Sequence, residues 1–598
     1  MKKILLKTIL AMQRPITWVH DNTSRTQFLI IAGILVGVTA GGASVILKTI
    51  VHYLHLLITH NYHIEYQYYI ILIFPFIGIL LTVLIIKIFF KGKIGKGIAN
   101  ILYEIAQKAS FVHKDKMYSQ IITSSITVGL GGSAGLEAPI VVTGSAIGSN
   151  FGRTYKLNYK DRTVLLASGA AAGIAAVFNA PIAGVMFAIE VLLVDLSISE
   201  LIPLIISAVC GALFSKIILQ ENILFFFELQ QKFDYTNIPF YVGLGIFSGF
   251  ISVYYARMTH RVEQFFEKFK NKTFTKAIVG GCILVVLYLF FPPLFGEGYG
   301  SIKILATGEP TKLLENSMFE PLGNYTFFFL IFIGLVMLIK VVATSVTISS
   351  GGNGGNFAPS LFVGAFMGFF YSHLINFIRP NTLPESNFTI VGMAGILSGV
   401  IYAPLTGIFL IAEITGGYDL MIPLMVVSVA SFFIAKHFEP YSMDTKKLAN
   451  KGQILTSDKD NNILTLMKTS EIIEKDIETI NYKSTLGDLV KIIQNCHRNI
   501  FAVINEKSEL VGVITLDDVR DIMFRQELYN TLIIKQLLKK PPITIELTDE
   551  MRIVMKKFDE SQAWNLPVVS NKKYIGFISK SSIFMNYRTK LKTQIGII

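Results

Sequence analysis

Two copies of one short motif, G-x-x-A-P, lie far apart in this chain of 598 residues. Gly135–Pro139 and Gly355–Pro359 carry it, and both stand in long apolar surroundings. Gly and Pro interrupt helices, and an interrupted helix exposes unpaired backbone N–H groups at its new N-terminus. Several such N–H groups, together with the positive ends of helix dipoles, can bind an anion. The two motifs therefore predict an anion site built from main-chain groups.

The motifs belong to a longer internal repeat. The offset of 220 residues that aligns them also aligns Gly144 with Gly364. A second pair of similar segments, Ala180–Glu190 and Ala403–Glu413, repeats in the same order at an offset of 223. Corresponding Gly- and Pro-interrupted apolar segments in two halves of a chain point to the binding site of a transporter. We therefore expect a duplicated membrane architecture with the site between its halves.

Composition indicates a membrane protein with a soluble tail. The chain is 52% hydrophobic and has a mean hydropathy of +0.54, which excludes an ordinary soluble protein. Charged residues are sparse between Phe28 and Ala435 and dense afterwards. We predict an N-terminal segment at 1–26, an all-α polytopic membrane domain at 27–445 and a soluble domain at 446–598. Several apolar segments are too short for an upright span, so tilted and broken helices are expected.

The basic balance fits membrane topology better than nucleic-acid binding. The net charge is +13, and Lys and Arg concentrate at the N-terminus, at 91–96 and at 257–276. Cytoplasmic loops of membrane proteins carry such an excess. We predict an integral protein of the plasma (inner) membrane with both termini in the cytoplasm. The three cysteines are scattered without the spacing of metal ligands, so no metal site is expected.

The tail contains its own repeat. Val511–Thr515 resembles Ile575–Ser579, and a short apolar strand precedes each copy. Alternating apolar residues next to amphipathic stretches such as Thr485–Gln494 indicate mixed strands and helices. Two β-α-β-type units of about 60 residues are the simplest account of this α/β domain.

With these motifs and this tail repeat, the sequence resembles the CLC family of chloride channels and chloride/proton antiporters, with a pair of CBS domains as its tail. Gly135–Pro139 matches the family pattern G-[RK]-E-G-P with two replacements, and Gly355–Pro359 matches G-x-F-x-P. Tyr441, after the last long apolar segment, corresponds to the pore tyrosine of the family. The resemblance implies CBS units at about 468–528 and 533–592.

The resemblance further implies a homodimer in the lipid bilayer, with inverted repeats and one pore per subunit. Glu137 is then the gate, its carboxylate occupying an anion site until a proton or a competing anion displaces it. The other reading of Glu137 is a carboxylate that stabilises a helix N-terminus, and that of Tyr441 is an aromatic anchor at the membrane interface. The implied anion-binding residues are Leu136, Ala138, Gly355, Asn356, Phe357, Ala358, Tyr441 and Lys96.

Two departures from the family pattern bear on function. Lys96 stands where the family has an anion-contacting serine, so the preference among small anions stays open, as does the reading of Lys96 as a solvated loop lysine. Val191 stands at the inner proton position that many antiporters fill with glutamate. Its neighbour Glu190 is a candidate for the proton path, although a structural role for Glu190 and Glu413 is the stronger reading. We therefore expect a gated chloride channel, with a chloride/proton antiporter as the alternative.

The tail contains a candidate nucleotide site. Thr515 and Asp518 fit the CBS pattern that holds a ribose, which allows an adenine nucleotide there; the alternative is a dimerisation and gating scaffold.

CBS pairs also occur on cation transporters and enzymes. A cation pathway needs several carboxylates in the membrane half, and an enzyme needs clustered catalytic or metal-binding groups. The histidines His113, His260 and His373 are scattered. We expect no enzyme activity and no required cofactor.

Overall fold

The computed structural model describes residues 22–59, 71–92, 94–192, 198–220, 233–269, 272–307, 310–315, 317, 319–322, 325–380, 382–449, 464, 467–475, 478–496 and 498–595. Most of the predicted N-terminal segment 1–26 lies outside these residues. The chain divides into two compact units, Met1–Ile454 and Leu455–Ile598.

The first unit consists mainly of helices. Its α-helices are α1 Arg25–Thr59, α2 Phe74–Phe89, α3 Ile98–Gln107, α4 Lys116–Gly129, α5 Glu137–Thr154, α6 Tyr159–Phe178, α7 Pro181–Phe187, α8 Ile198–Leu219, α9 Ile238–Glu267, α10 Thr273–Phe290, α11 Tyr299–Ala306, α12 Thr326–Ser349, α13 Phe357–Ile378, α14 Glu385–Ile401, α15 Pro404–Ile414, α16 Met421–Phe438 and α17 Met443–Ala449. A π-helical turn, Ala188–Leu192, continues α7, and short 3₁₀ turns lie at Tyr235–Asn237, Pro292–Leu294, Pro310–Leu314 and Glu320–Leu322. Among the described residues, 8 helices are long and apolar enough to cross a membrane.

The two G-x-x-A-P motifs lie at matching helix breaks. Helix α4 ends before Gly131 and α12 ends before Gly351, and these glycines have φ values of 92° and 122°. Left-handed backbone of this kind ends a helix and favours glycine. A new helix then begins at Glu137 in the first half and at Phe357 in the second. The predicted interruption of the apolar segments is therefore confirmed.

Matched glycines bring the helix after each break against its successor. A Cβ added to Gly144 in α5 would lie 2.1 Å from the carbonyl oxygen of Gly169 in α6. In the second half, a Cβ on Gly364 in α13 would lie 2.5 Å from the carbonyl oxygen of Gly392 in α14. Backbones approach this closely only where both residues are small. The aligned glycines of the repeat are thus the packing seams of two similar helix pairs.

The second unit contains two small mixed sheets. Its elements are α18 Thr469–Ile472, β1 Thr479–Asn481, α19 Leu486–Asn495, β2 Ile500–Ile504, β3 Leu510–Thr515, α20 Leu516–Val519, a 3₁₀ turn Gln526–Leu528, α21 Ile534–Leu537, β4 Ile545–Glu546, α22 Met551–Ser561, β5 Asn565–Ser570, β6 Lys573–Ser579 and α23 Lys580–Ile595. Strand β1 pairs in parallel with β2, and β3 is antiparallel to β2. The sheet of β4, β5 and β6 repeats this order. The predicted repeat of β-α-β units is confirmed.

Candidate anion site and its gate

The two motif loops pair with each other at the centre of the first unit. The N–H of Gly135 donates to the carbonyl of Gly355 at 2.9 Å, and the N–H of Gly355 donates to the carbonyl of Gly135 at 2.8 Å. Because α5 and α13 begin two residues after these glycines, their N-termini meet. First-turn N–H groups have no partner within their own helix, so they can bind an anion together. The structure thus brings together the predicted residues of both motifs.

The carboxylate of Glu137 lies at this junction. The side chain is only 1% exposed. Its Oε2 accepts a hydrogen bond from the N–H of Ala358 at 3.4 Å, and its Oε1 accepts one from the hydroxyl of Tyr299 at 2.6 Å. An acidic side chain from one half therefore occupies the helix N-terminus of the other half.

Tyr299 was not predicted from the sequence. It is the first residue of α11 and follows the loop Phe295–Gly298. Its partner Glu137 lies 162 positions earlier in the chain. The only sequence signal is the G-E-G-Y-G stretch between two apolar segments. A glutamate and a tyrosine in such a setting indicate a polar site, but their spacing does not identify the partner.

A cavity of about 310 Å³ reaches the motif loops. Lys96, Ala138, Gly355, Asn356 and Phe357 are among its lining residues. The ring of Phe357 packs against Phe178 and Phe187, with ring centres 5.6 Å and 6.3 Å away. Glu137 is not among the described residues that line this cavity, so the gate candidate and the cavity approach the paired loops separately.

Lys96 lies in the cavity wall and binds main-chain carbonyls. Its Nζ donates to the carbonyls of Gly351 at 2.6 Å and Gly352 at 2.9 Å. These residues follow the C-terminus of α12, where carbonyl groups lack helical partners. The lysine therefore holds the loop that leads into α13 and lines the cavity.

The structure does not bring Tyr441 into the described cavity lining. Its side chain is 43% exposed, and the neighbouring α17 contributes Met443 and Asp444 instead. A buried tyrosine, Tyr255, contacts one of the predicted anion-binding residues instead: its hydroxyl donates to Oδ1 of Asn356 at 3.4 Å. Sequence reasoning did not single out Tyr255, because its position within the long α9 carries no motif.

Glu190 and Glu413 cap helices of the opposite halves. Glu190 accepts hydrogen bonds from the N–H groups of Leu405 at 2.9 Å and Thr406 at 2.7 Å, and from the Thr406 hydroxyl at 2.7 Å. Glu413 accepts from the N–H groups of Ile182 at 3.1 Å and Ala183 at 2.8 Å. Each carboxylate thus satisfies the first turn of α15 or α7, which favours the structural reading of both residues.

We expect Glu413→Ala to destabilise the membrane unit, because it leaves two N–H groups at the start of α7 without acceptors. A lost N-terminal cap costs about 1–2 kcal/mol. The measurement is the thermal unfolding midpoint of the detergent-solubilised protein, and Glu190→Ala should lower it similarly. The exposed Glu315 provides the control, since Glu315→Ala removes no cap. Equal midpoints for all three variants would contradict the capping role.

The predicted ribose-binding pair of the tail is engaged within the second unit. The N–H and the hydroxyl of Thr515 donate to Oδ2 of Asp518 at 2.9 Å and 2.7 Å, and Nζ of Lys539 donates to Oδ1 at 2.5 Å. Burial alone would raise the pKa of Asp518, but the hydrogen bonds from Lys539 and Thr515 outweigh burial and hold the pKa below its ordinary value. In the second copy, Ser582 exchanges the corresponding bonds with Ser579.

The described residues contain no group of three or more His, Cys, Asp or Glu arranged to hold a metal ion. The carboxylates discussed above have main-chain, hydroxyl or lysine partners instead.

Comparisons with known proteins agree with this geometry. The family model described as voltage gated chloride channel matches residues 78–436, and the CBS domain model matches 470–525 and 534–588. The chain is 26% identical to chloride channel protein CLC-f of Arabidopsis thaliana, over 67% of this chain and 56% of that protein. It is 29% identical to the H(+)/Cl(-) exchange transporter ClcA of Vibrio campbellii, over 52% of this chain and 64% of that protein. The match thus spans less than two thirds of either relative.

A solved structure supports the fold. The structure of a slow cyanobacterial Cl−/H+ antiporter superposes with a TM-score of 0.62 at 22% identity, over 72% of this chain and 98% of that chain. The predicted fold class is confirmed: a largely helical membrane domain of this type, followed by a CBS pair.

Proposed function

This chain belongs to the voltage-gated chloride channel family, and on that premise we propose that it carries chloride or a similar small anion across a membrane with Glu137 as the gate. The observation that carries the proposal is the position of the Glu137 carboxylate. It sits where an anion would bind, at the N-terminus of α13, and holds the N–H of Ala358. A transported anion has to displace it to use that N–H group.

Protonation of Glu137 would allow an anion to displace its side chain from the N–H of Ala358. A neutral carboxyl group binds an N–H group and a helix N-terminus more weakly than a carboxylate does, because both interactions favour negative charge. Acidic conditions should therefore release Glu137 and leave the N–H groups of both motifs to the anion. Main-chain donors bind a dehydrated anion without the fixed charge that would trap it, as conduction requires.

Lys96 supports anion transport from the side of the cavity. Its ammonium group faces the 310 Å³ cavity while it binds the carbonyls of Gly351 and Gly352. A positive group at the mouth of a low-dielectric site raises the local concentration of anions. Lysine in place of the serine of the family pattern therefore favours anion attraction over direct hydroxyl coordination.

We favour a channel over an exchanger because of the geometry around the inner proton position. Val191 cannot titrate, and both carboxylate oxygens of Glu190 are engaged by the start of α15. Chloride/proton exchange is the second candidate, and the naming of a relative as an H(+)/Cl(-) exchange transporter favours it. Such exchange would need a chain of water molecules in place of the missing carboxylate.

The reversal potential under a proton gradient tests the proposal. With equal chloride on both sides of a planar bilayer, a channel should reverse at zero voltage whatever the proton gradient is. A reversal potential that follows the proton gradient would establish exchange and contradict the channel. The absence of any chloride flux from proteoliposomes containing folded protein would contradict anion transport itself.

The remaining assignments follow the family. We infer a homodimer in the plasma (inner) membrane with both termini in the cytoplasm, and a transporter rather than an enzyme. The carboxylate of Asp518 already binds Lys539, and this favours a scaffold role for the CBS pair. Binding of an adenine nucleotide there would require Lys539 to release that carboxylate.

A further inference from the structure

A second carboxylate, that of Glu297, lies beside the gate. Glu297 belongs to the loop Phe295–Gly298 that leads into α11. Glu297 stands two residues before Tyr299, whose hydroxyl donates to Oε1 of Glu137 at 2.6 Å. The Glu297 carboxyl group interacts electrostatically with Glu137 and with the N–H of Leu136, the residue before the gate. Glu297 is partly exposed, whereas Glu137 is 1% exposed. Of the two residues, Glu297 is the more exposed.

Charged and titratable groups of four helices interact electrostatically with Glu297. They are Glu137 of α5, Tyr299 of α11, Lys340 of α12 and Lys48 of α1. His55 of α1 also reaches the loop, where its ring lies 6.1 Å from the ring of Phe295.

Lys340 fixes the loop. It is completely buried in an apolar helix. Its Nζ donates to the carbonyls of Leu294 at 3.1 Å and Gly296 at 2.9 Å, and it lies 4.6 Å from the centre of the Phe362 ring. A buried lysine and a partly buried glutamate are expensive in a membrane protein and mark functional positions by default.

Two adjacent carboxylates in a medium of low dielectric constant do not both stay ionised, so they share a proton. We propose that Glu297 is the proton-loading residue of the gate: it takes a proton from water and passes it to Glu137. The O–H bond of Glu297 breaks, one forms on Glu137, and Tyr299 is protonated before and after the transfer. Lys340 and Lys48 stabilise the Glu297 carboxylate that remains. This inference rests on the proposed function, in which protonation of Glu137 opens the pore.

The first test is the pH dependence of chloride efflux from proteoliposomes. Glu297→Gln removes the like charge next to Glu137 and leaves Lys340, so protonating the gate becomes harder. The pH of half-maximal efflux should fall by about one unit or more, the effect of one nearby charge. Glu297→Asp, which keeps the carboxyl group, should stay near the wild-type value. Tyr299→Phe should move the midpoint upward, because it removes a hydrogen bond to the ionised gate.

Two controls separate the failure of this inference from that of the proposed function. Glu297→Gln should have no effect in a Glu137→Gln background. If Glu137→Gln alone keeps the wild-type pH profile, the gate assignment fails. If it abolishes pH dependence while Glu297→Gln leaves the midpoint unchanged, only the role of Glu297 is wrong. A midpoint that moves in His55→Gln but not in Glu297→Gln would place proton entry at the imidazole and would also overturn the proposal.

A cysteine variant covers the case in which Glu297→Gln does not fold. In Glu297→Cys, a sulfonate-bearing thiol reagent should restore the negative charge and raise the lowered midpoint, and an ammonium-bearing reagent should lower it further. The same reagents on the wild-type protein control for reaction at the exposed Cys282. Equal effects of the two reagents would show that charge at this position does not matter and would contradict the proposal.

Discussion

Glu137→Gln is expected to abolish the pH dependence of anion flux. Glutamine has the shape of a protonated glutamate and carries no charge, so it cannot compete with an anion for the N–H of Ala358. Flux should stay at the level of the open protein from about pH 8 to about pH 4.5, a range that spans the ionisation of ordinary and buried glutamates. The wild-type protein should lose most of its flux toward the alkaline end.

The measurement is chloride efflux from proteoliposomes at a series of pH values, with the amount of folded protein matched by gel filtration. Gln120 provides a useful comparison, because Gln120→Ala alters a buried amide near the same loops without touching Glu137. That variant should keep a pH-dependent profile. A Glu137→Gln protein that titrates like the wild type would remove Glu137 from the gate.

Gly135→Ala is expected to hold the gate open. A Cβ at this position would lie 2.0 Å from Oε2 of Glu137 and 2.9 Å from Cβ of Ala358. The flexible carboxylate has to leave the N–H of Ala358, because the helix start on the other side is less free to move. A hydrogen bond to a charged group contributes about 1.5–3 kcal/mol, so flux at alkaline pH should rise about 10- to 150-fold.

The control is a nearby glycine that has space for an added methyl group. A Cβ on Gly300, in the first turn of α11, meets no atom within 4 Å. Gly300→Ala should therefore behave as the wild type in the same efflux assay. Alkaline flux in Gly135→Ala no higher than in Gly300→Ala, with both proteins folded, would show that the added methyl group is accommodated without moving the carboxylate.

The sequence predicts the parts of this site that its repeat encodes. Breaks at two glycine- and proline-containing motifs follow from local backbone chemistry, and the common offset indicates that the breaks belong together. The partners of the acidic groups do not follow, because they come from elsewhere in the chain. Tyr299 lies 162 positions from Glu137, and Glu190 lies 215 positions from Leu405. No periodicity relates residues across such separations.

The direction of the Tyr441 side chain does not follow from the sequence, for a different reason. The resemblance identifies Tyr441 from its place after the last long helix, but the direction of its side chain depends on the contacts that hold the surrounding turn. Glu439 binds Arg257 at 2.8 Å and Lys446 at 2.6 Å, and its carbonyl accepts a hydrogen bond from Tyr402. These contacts fix the turn in a conformation that leaves the side chain of Tyr441 43% exposed. The contribution of Tyr441 to anion binding stays a prediction.

The reciprocal caps of Glu190 and Glu413 also bear on how the chain is made. Helix α7 emerges from the ribosome with its first N–H groups lacking their acceptor, since Glu413 follows Ile182 by 231 residues. At about 5–20 residues per second, synthesis of that stretch lasts roughly 10–45 s. During that interval the first half has to keep its unsatisfied helix end at the bilayer interface, in water, or against the insertion machinery. Completion of the second half then supplies the missing carboxylate, so the two halves are expected to mature together rather than in succession.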